Sequence, residues 1–278
     1  MTDILLSADA EDADSSHYLR ALTDMADRRT VVAGAAIYTD NGIKLVEKGA
    51  RIDSRLYDRL VQHRLQGSID GHLSAENAVD IAAIQALARQ RCQEPLLQRM
   101  AQAVGGEAAL LAPLAAVPLP APLAFKLTVM REQQPDLLAH SVGVMLVALY
   151  LGLRTGLAQA EASHLAAAAL LHDIGVLHMD PVWRDPSHKV AGPGRKHLVA
   201  HPVTAMLLVR AQPAYPPAVA QAVLEHHERL DGTGYPRGTP GADISPLGHI
   251  LLLAEVVDAG GLSASDVLLV TPAQFANL

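Results

Sequence analysis

Several side chains in the second half of the chain interrupt apolar helical runs with groups that bind metals or move protons. The run 166–171, Ala-Ala-Ala-Ala-Leu-Leu, leads directly into His172 and Asp173. A carboxylate at the end of so apolar a segment is costly unless it is paired or bound to a metal. His226 and His227 close a second apolar stretch beside Glu228, and His140 lies inside a third. Asp136 stands four residues before His140, hence on the same helical face. His201 directly precedes Pro202, and Glu255 falls within the apolar run 250–257. A single histidine on an apolar helix is more often a hydrogen-bonded core residue than a ligand, and a histidine pair at a helix end can simply contact the helix dipole. Here five imidazoles and two or three carboxylates recur on five successive helical segments. That donor set suits two adjacent divalent metals, iron or manganese, bridged by a carboxylate. Two such metals activate a water and clamp the phosphate that it attacks, as in many phosphodiesterases.

Composition points the same way. The 278 residues include 13 histidines, ten of them at or after His140, against a single cysteine, Cys92. One cysteine excludes an internal disulfide framework and a cysteine-based zinc cluster, so a metal site has to be built from imidazole and carboxylate. Half of the residues are hydrophobic and 18% are charged, which supports a sizeable core and excludes general disorder. A net charge of −7 argues against DNA, RNA or an anionic membrane as partner. The acidic stretch 1–14 lacks the pattern of a signal peptide. The run 108–125 is 18 residues without a charge, long enough for a membrane helix. Pro113, Pro118, Pro120 and Pro122 obstruct a continuous helix there. The expectation is a cytoplasmic chain without a membrane span, in which 113–122 is an Ala/Pro-rich connector able to bury itself in a homodimer.

The elements that must position these groups follow from the local patterns. Residues 1–112 read as a small mixed α/β module with a regulatory or packing role and no catalytic cluster. A hairpin is expected over 31–46, turning at Asp40-Asn41-Gly42. Asp53 is expected to cap a helix through about Leu65, and Ser74 another through about Arg91. The module lacks the aspartate-and-lysine arrangement of a phosphorylation-receiver domain. Residues 123–278 read as helical almost throughout, with helices over 135–153, 159–172, 195–211, 216–227 and 246–259. Gly/Pro-rich loops separate them at 192–194 and 231–246. The fold class is mainly α: an all-helical domain preceded by the mixed α/β module.

Two stretches carry a family resemblance. Leu170-Leu171-His172-Asp173-Ile174-Gly175 resembles the signature of the HD superfamily of metal-dependent phosphohydrolases. The eleven residues from His226 to Pro236 resemble the HHExxDGxGYP motif of its HD-GYP subfamily, with His140 upstream and His201-Pro202 between. The resemblance implies an HD-type all-helical domain that holds two or three divalent metals and hydrolyses the bacterial second messenger cyclic di-GMP. It implies ligand positions for His140, His172, Asp173, His201, His226 and His227, with the His172-Asp173 doublet at the catalytic centre and Asp173 as the bridging carboxylate. Asp136 takes the place of an additional acidic ligand in trinuclear members. The loop of Asp231, Gly232, Gly234, Tyr235 and Pro236 is implied to shape the mouth of the site and to contact other signalling proteins.

The chain departs from the family pattern at three functional positions. Val176 stands where the motif carries a lysine expected to reach the scissile phosphate. Losing one such contact costs on the order of 10²–10³ in rate where electrostatics dominate the transition state. Glu255 stands where the family has an aspartate ligand. The basic stretch that usually follows is absent, since no lysine or arginine occurs after Arg237. Arg184, Lys189, Arg195 and Lys196 lie in or after the loop that follows the doublet and are candidate substitutes. Two readings follow: a metal-dependent cyclic di-GMP phosphodiesterase with weakened activity, or a catalytically impaired module that binds metal or nucleotide and signals through protein partners.

Overall fold

The computed structural model describes residues 15–184, 193–258 and 260. Lys189 and the segment after 260 lie outside the described residues, as do the side chains of Arg184, Arg195 and His197. The chain divides into two compact units whose segments alternate along the sequence. One comprises the described residues up to 79 with 120–135 and 174–204, and the other 80–119, 136–173 and the residues from 205. The ranges 1–112, 113–122 and 123–278 follow the chain instead, because a sequence scan cannot detect segments that leave a unit and return to it.

The first unit opens with α1 (Ser16–Arg28), capped by the Ser15 hydroxyl, which accepts from the Tyr18 amide. Two antiparallel ribbons follow, β1 (Val31–Ala33) with β4 (Leu73–Ala75) and β2 (Ile37–Tyr38) with β3 (Lys44–Val46). The turn at Asp40-Asn41-Gly42 therefore joins β2 to β3 as expected, with Ile37 opposite Val46 and Tyr38 opposite Lys44. Val31 and Val32 belong elsewhere: Val31 pairs with Ala75 and Val32 with Ser74. Ser74 is thus a strand residue rather than a helix cap. Asp53 does cap a helical turn, a 3₁₀ segment (Ser54–Leu56) that continues as the short α2 (Tyr57–Val61). It stops well before Leu65 because residues 64–66 are tied to another strand end, where Asp40 N donates to Arg64 O and Gln66 N to Tyr38 O, both at 2.9 Å. α6 (Ala121–Gln133) accommodates Pro122 in its first turn, where a missing N–H removes no helical bond. α1 packs on α2, on α6 and on a 3₁₀ turn (Ile174–His178).

In the second unit, Asp80 caps α3 (Ile81–Arg91) by accepting from Ala83 N at 2.7 Å. α4 (Pro95–Ala103) and α5 (Glu107–Leu111) follow, and the Ala/Pro stretch forms a 3₁₀ turn (Ala112–Ala116) against α8 (Gln159–Leu171). α7 (Pro135–Arg154) is long and apolar enough to cross a membrane by length and composition alone, yet 141–152 is buried without a break. α10 (Pro217–Glu225) packs on α8 and on α11 (Pro246–Asp258). α9 (Pro193–Arg210) spans the point, after Thr204, at which the chain changes unit. Helices account for nearly all regular structure among the described residues, in agreement with the expected fold class.

Candidate metal centre

The second unit brings His140 on α7, His172 and Asp173 at the end of α8, His226 and His227 at the end of α10, and Glu255 on α11 to one place. Helix ends do the positioning. The last carbonyls of a helix have no partner within it, and the imidazoles use them. His172 Nδ1 lies 2.7 Å from Ala169 O and His226 Nδ1 2.6 Å from Val223 O, each bond reaching back three residues. Since a carbonyl only accepts, Nδ1 carries a proton in both rings, and Nε2 is the nitrogen turned to the interior and left for a metal. His140 sits mid-helix and uses a side chain for the same purpose: its Nδ1 is 2.9 Å from Asp258 Oδ2.

The donor atoms form two groups. His140 Nε2 and His172 Nε2 approach Glu255 Oε2 at 3.2 and 3.3 Å. The ligand atoms of Asp173, His226 and His227 lie within 4.8 Å of one another. Asp173 stands between the groups, with Oδ2 3.5 Å from His172 Nε2 and Oδ1 3.6 Å from His226 Nε2. Its two oxygens therefore face different imidazoles, as a bridging carboxylate requires. The rings pack edge to face, His140 to His172 at 5.4 Å and His172 to His226 at 4.8 Å between centroids.

Electrostatics match that crowding. Burial opposes the charged form of His140, but the Asp258 hydrogen bond and the facing Glu255 carboxylate outweigh it and push the imidazole up to about 9. Burial likewise opposes ionisation of Glu255, and the facing His140 and His172 imidazoles overcome it, holding the carboxyl well below the usual carboxylate range. His172 Nε2 and Glu255 Oε2 are buried and make no hydrogen bond among the described residues, although they face each other. A divalent cation fits both, because it needs converging imidazole and carboxylate donors that other protein groups have not saturated.

Beside the donors the chain turns through the loop that begins at Glu228. Glu228 is 3% exposed, and its carboxylate accepts from Arg237 N at 2.9 Å and from Thr239 N at 2.8 Å. The fully buried Glu225 accepts from Ser245 N at 3.0 Å and from the Arg237 guanidinium at 3.4 Å. Gly234 passes so close to the preceding turn that a Cβ would lie 2.3 Å from Arg229 N. Gly232 adopts φ +74°, which an L side chain rarely does. Tyr235 stacks on His227 at 4.7 Å, and its phenol is raised above the usual range by burial first and by the Asp173 and Glu255 charges next. The loop and α11 enclose an open cleft of about 660 Å³ that includes His226, His227, Glu255 and Tyr235, with apolar walls from Leu230, Leu252 and Val256. That volume is typical of small-molecule sites, which run from about 300 to 1,000 Å³. Arg229 is the one permanent cation among the described lining residues.

Asp136 is exposed and belongs to neither donor group. Asp231 is exposed and accepts from Thr233 N at 2.9 Å and Thr233 Oγ1 at 2.6 Å, an arrangement that shapes the loop. Val176 is 7% exposed, in the 3₁₀ turn of the first unit. His201 is on α9 in that same unit, buried, with Nδ1 2.6 Å from Leu198 O. That carbonyl is available because its helical partner would be the N–H of residue 202, which is proline. Sequence reasoning assigned no role to Asp258, Arg91, Glu225 and Glu228. Asp258 was detectable as a second carboxylate three residues after Glu255 in an apolar helix, and Glu228 as an acid next to two imidazoles.

A family model for the HD domain matches residues 91–259, more than half of the chain. The chain is 33% identical over 128 residues to a 3′3′-cGAMP-specific phosphodiesterase of Vibrio cholerae, covering 46% of this chain and 27% of that protein. It is 32% identical over 121 residues to a cyclic di-GMP phosphodiesterase of Pseudomonas aeruginosa, covering 43% and 29%. It is 35% identical over 106 residues to the cyclic di-GMP phosphodiesterase response regulator RpfG of Xanthomonas campestris, covering 37% and 28%. The chain thus spans less than a third of the length of each of these curated relatives. The HD doublet lies where the two donor groups meet, inside the stretch that the family model covers. The chain belongs to the HD domain family, and the eleven residues from His226 to Pro236 assign it to the HD-GYP subfamily.

Proposed function

We propose that the protein is a metal-dependent phosphodiesterase of HD-GYP type that opens a cyclic dinucleotide, with cyclic di-GMP as the substrate. The observation that carries this reading is the double donor set beside a nucleotide-sized cleft, with Asp173 directed to both groups. In this reading His140, His172 and Glu255 would hold one divalent metal, iron or manganese, and Asp173, which faces both groups, would hold a second with His226 and His227; His201 is a further candidate ligand by the family resemblance alone. Metals held there would supply Lewis-acid charge for the attacking water and for the phosphodiester oxygens. The chain's own groups supply the rest. The Nδ1 bonds of His172 and His226 keep the imidazoles aimed at the centre, the carboxylates of Glu228 and Glu225 hold the loop that walls the cleft, and Tyr235 covers His227. Arg229 offers the substrate phosphates a guanidinium at the cleft, where the motif lysine and the basic stretch are missing. Water adds its oxygen at phosphorus, the ester bond to the ribose oxygen breaks and that oxygen leaves with a proton from the water, giving the linear dinucleotide. The relatives named for cyclic di-GMP and for 3′3′-cGAMP support the substrate class.

Val176 favours a second reading. A buried isopropyl group in place of the motif lysine suits a domain that holds metal or nucleotide and signals through partners that meet the Gly-Tyr-Pro loop. One experiment decides between them. The purified chain is assayed for bound metal and incubated with cyclic di-GMP and, separately, with 3′3′-cGAMP in the presence of Mn(II) or Fe(II). Linear product that disappears in Asp173→Ala is the expected result. Bound metal with no turnover of either nucleotide overturns the enzyme reading in favour of the second.

A further inference from the structure

Asp258 and Arg91 belong to neither donor group, yet both are aimed at one of its members. Asp258 lies one turn beyond Glu255 on α11, and its Oδ2 accepts from His140 Nδ1 at 2.9 Å. The opposite nitrogen of the same ring, Nε2, is the one that faces Glu255 at 3.2 Å. The other oxygen of Asp258 lies 3.4 Å from the Arg91 guanidinium. Arg91 closes α3 and donates through a second nitrogen to the carbonyl of Ala139, the residue before His140. Glu94 occupies the remaining edge of the guanidinium, at 2.8 and 3.1 Å. The side chains are 10% and 18% exposed, so the contacts are screened little by solvent.

Gly143 provides the space for this arrangement. A Cβ at that position would meet Asp258 Oδ1 at 2.1 Å and the Arg91 guanidinium at 2.8 Å. Glycine inside a helix is disfavoured relative to alanine, and here it lets a carboxylate and a guanidinium reach the α7 backbone beside His140. An ion pair that only joined α3 to α11 would not have to end on the outer nitrogen of a candidate ligand. A carboxylate in that place fixes the ring's tautomer and orientation and raises its basicity toward a cation.

We propose that Asp258 and Arg91 are positioning residues that orient His140 toward a divalent metal, with Gly143 as the residue that admits them. The proposal rests on the metal-centre reading above. Mn(II) is titrated calorimetrically into the full chain, and the metal-free thermal midpoint is recorded for every variant. Asp258→Asn, which preserves shape, is expected to weaken Mn(II) binding about 10–100-fold while leaving that midpoint within a few degrees. Arg91→Gln shifts affinity in the same direction by less, and replaces Asp258→Asn in the comparison should that variant fail to fold. In a His140→Ala background Asp258→Asn is expected to cause no further loss, because the ring it orients is gone. Unchanged affinity in Asp258→Asn, or an equal loss with and without His140, overturns the proposal alone. A wild-type chain that binds no Mn(II) overturns it together with the metal-centre reading.

Discussion

His172, His201 and His226 share one device: each ring donates through Nδ1 to the carbonyl three residues earlier, at 2.6–2.7 Å. For His172 and His226 the helix end frees that carbonyl. For His201 the neighbouring proline does, since Pro202 lacks the N–H that would otherwise bond Leu198 O. The His-Pro pair is therefore chemically meaningful as a dipeptide, because the proline releases the acceptor that orients the imidazole. Pro202→Ala should restore the helical bond and make it compete with His201. The expected outcome is a more stable chain, by roughly 1–3 kcal/mol from removal of an interior proline, that binds metal about tenfold more weakly. Thermal unfolding of the metal-free protein and Mn(II) titration read the two effects separately. A stabilised variant with unchanged metal affinity would show that the Leu198 bond does not position His201.

Between elements of the first unit, one buried charge pair dominates. Lys126 of α6 and Asp70, in the turn before β4, meet at 2.6 Å with side chains 1% and 0% exposed. The Tyr18 hydroxyl of α1 donates to the same carboxylate, and Ser68 Oγ does so at 2.9 Å. His178, stacked on Tyr18, lies 3.4 Å from the ammonium. Burial first, and the Lys126 charge second, hold that imidazole well below its usual range, so it is neutral and accepts from the lysine. Removing one partner strands the other charge in the core. Asp70→Asn should cost about 3–5 kcal/mol, and joint replacement by Asp70→Leu and Lys126→Met should recover most of that loss, as measured by urea unfolding. An Asp70→Asn cost below 1 kcal/mol would mean that water reaches the pair. Neither residue was identifiable from its sequence neighbourhood, because their partnership is visible only once elements 56 residues apart in the chain pack together. The same limit explains β1, whose partner β4 lies beyond the hairpin that local turn chemistry does reveal. The apolar helices needed no tertiary information, because the runs 165–171 in α8 and 222–224 in α10 specify them, and polar residues just after those runs are the donors themselves. Asp258 and Glu228 carried no assigned role, because their significance depends on what their oxygens reach.

For the molecule as a whole, the sole cysteine offers a probe of how the second unit opens. Cys92 follows Arg91 at the end of α3, is 3% exposed, and its thiol is pushed up to about 11 by burial first and by the Glu107 and Glu94 charges next. At pH 8 only about one thiol in a thousand is then ionised, and the thiolate is the species that alkylates. Labelling of the folded chain is therefore expected to be slow and to proceed through opened states in which Cys92 regains an ordinary thiol. His140, His172, Asp173, His226, His227 and Glu255 belong to the same unit as Cys92. A metal bound by these residues stabilises the closed state by RT ln(1 + [L]/Kd), about 2.7 kcal/mol at a hundredfold excess over Kd. Mn(II) at that excess should slow iodoacetamide labelling of Cys92 about 100-fold, and Asp173→Ala should abolish most of the protection. Labelling in metal-free protein should rise with pH and level off near pH 8.5, as the ordinary thiol of an opened state predicts. A rate that keeps rising up to about pH 11 would instead identify the reactive species as the native thiol. Protection that persists in Asp173→Ala would mean that the metal acting on Cys92 is bound elsewhere.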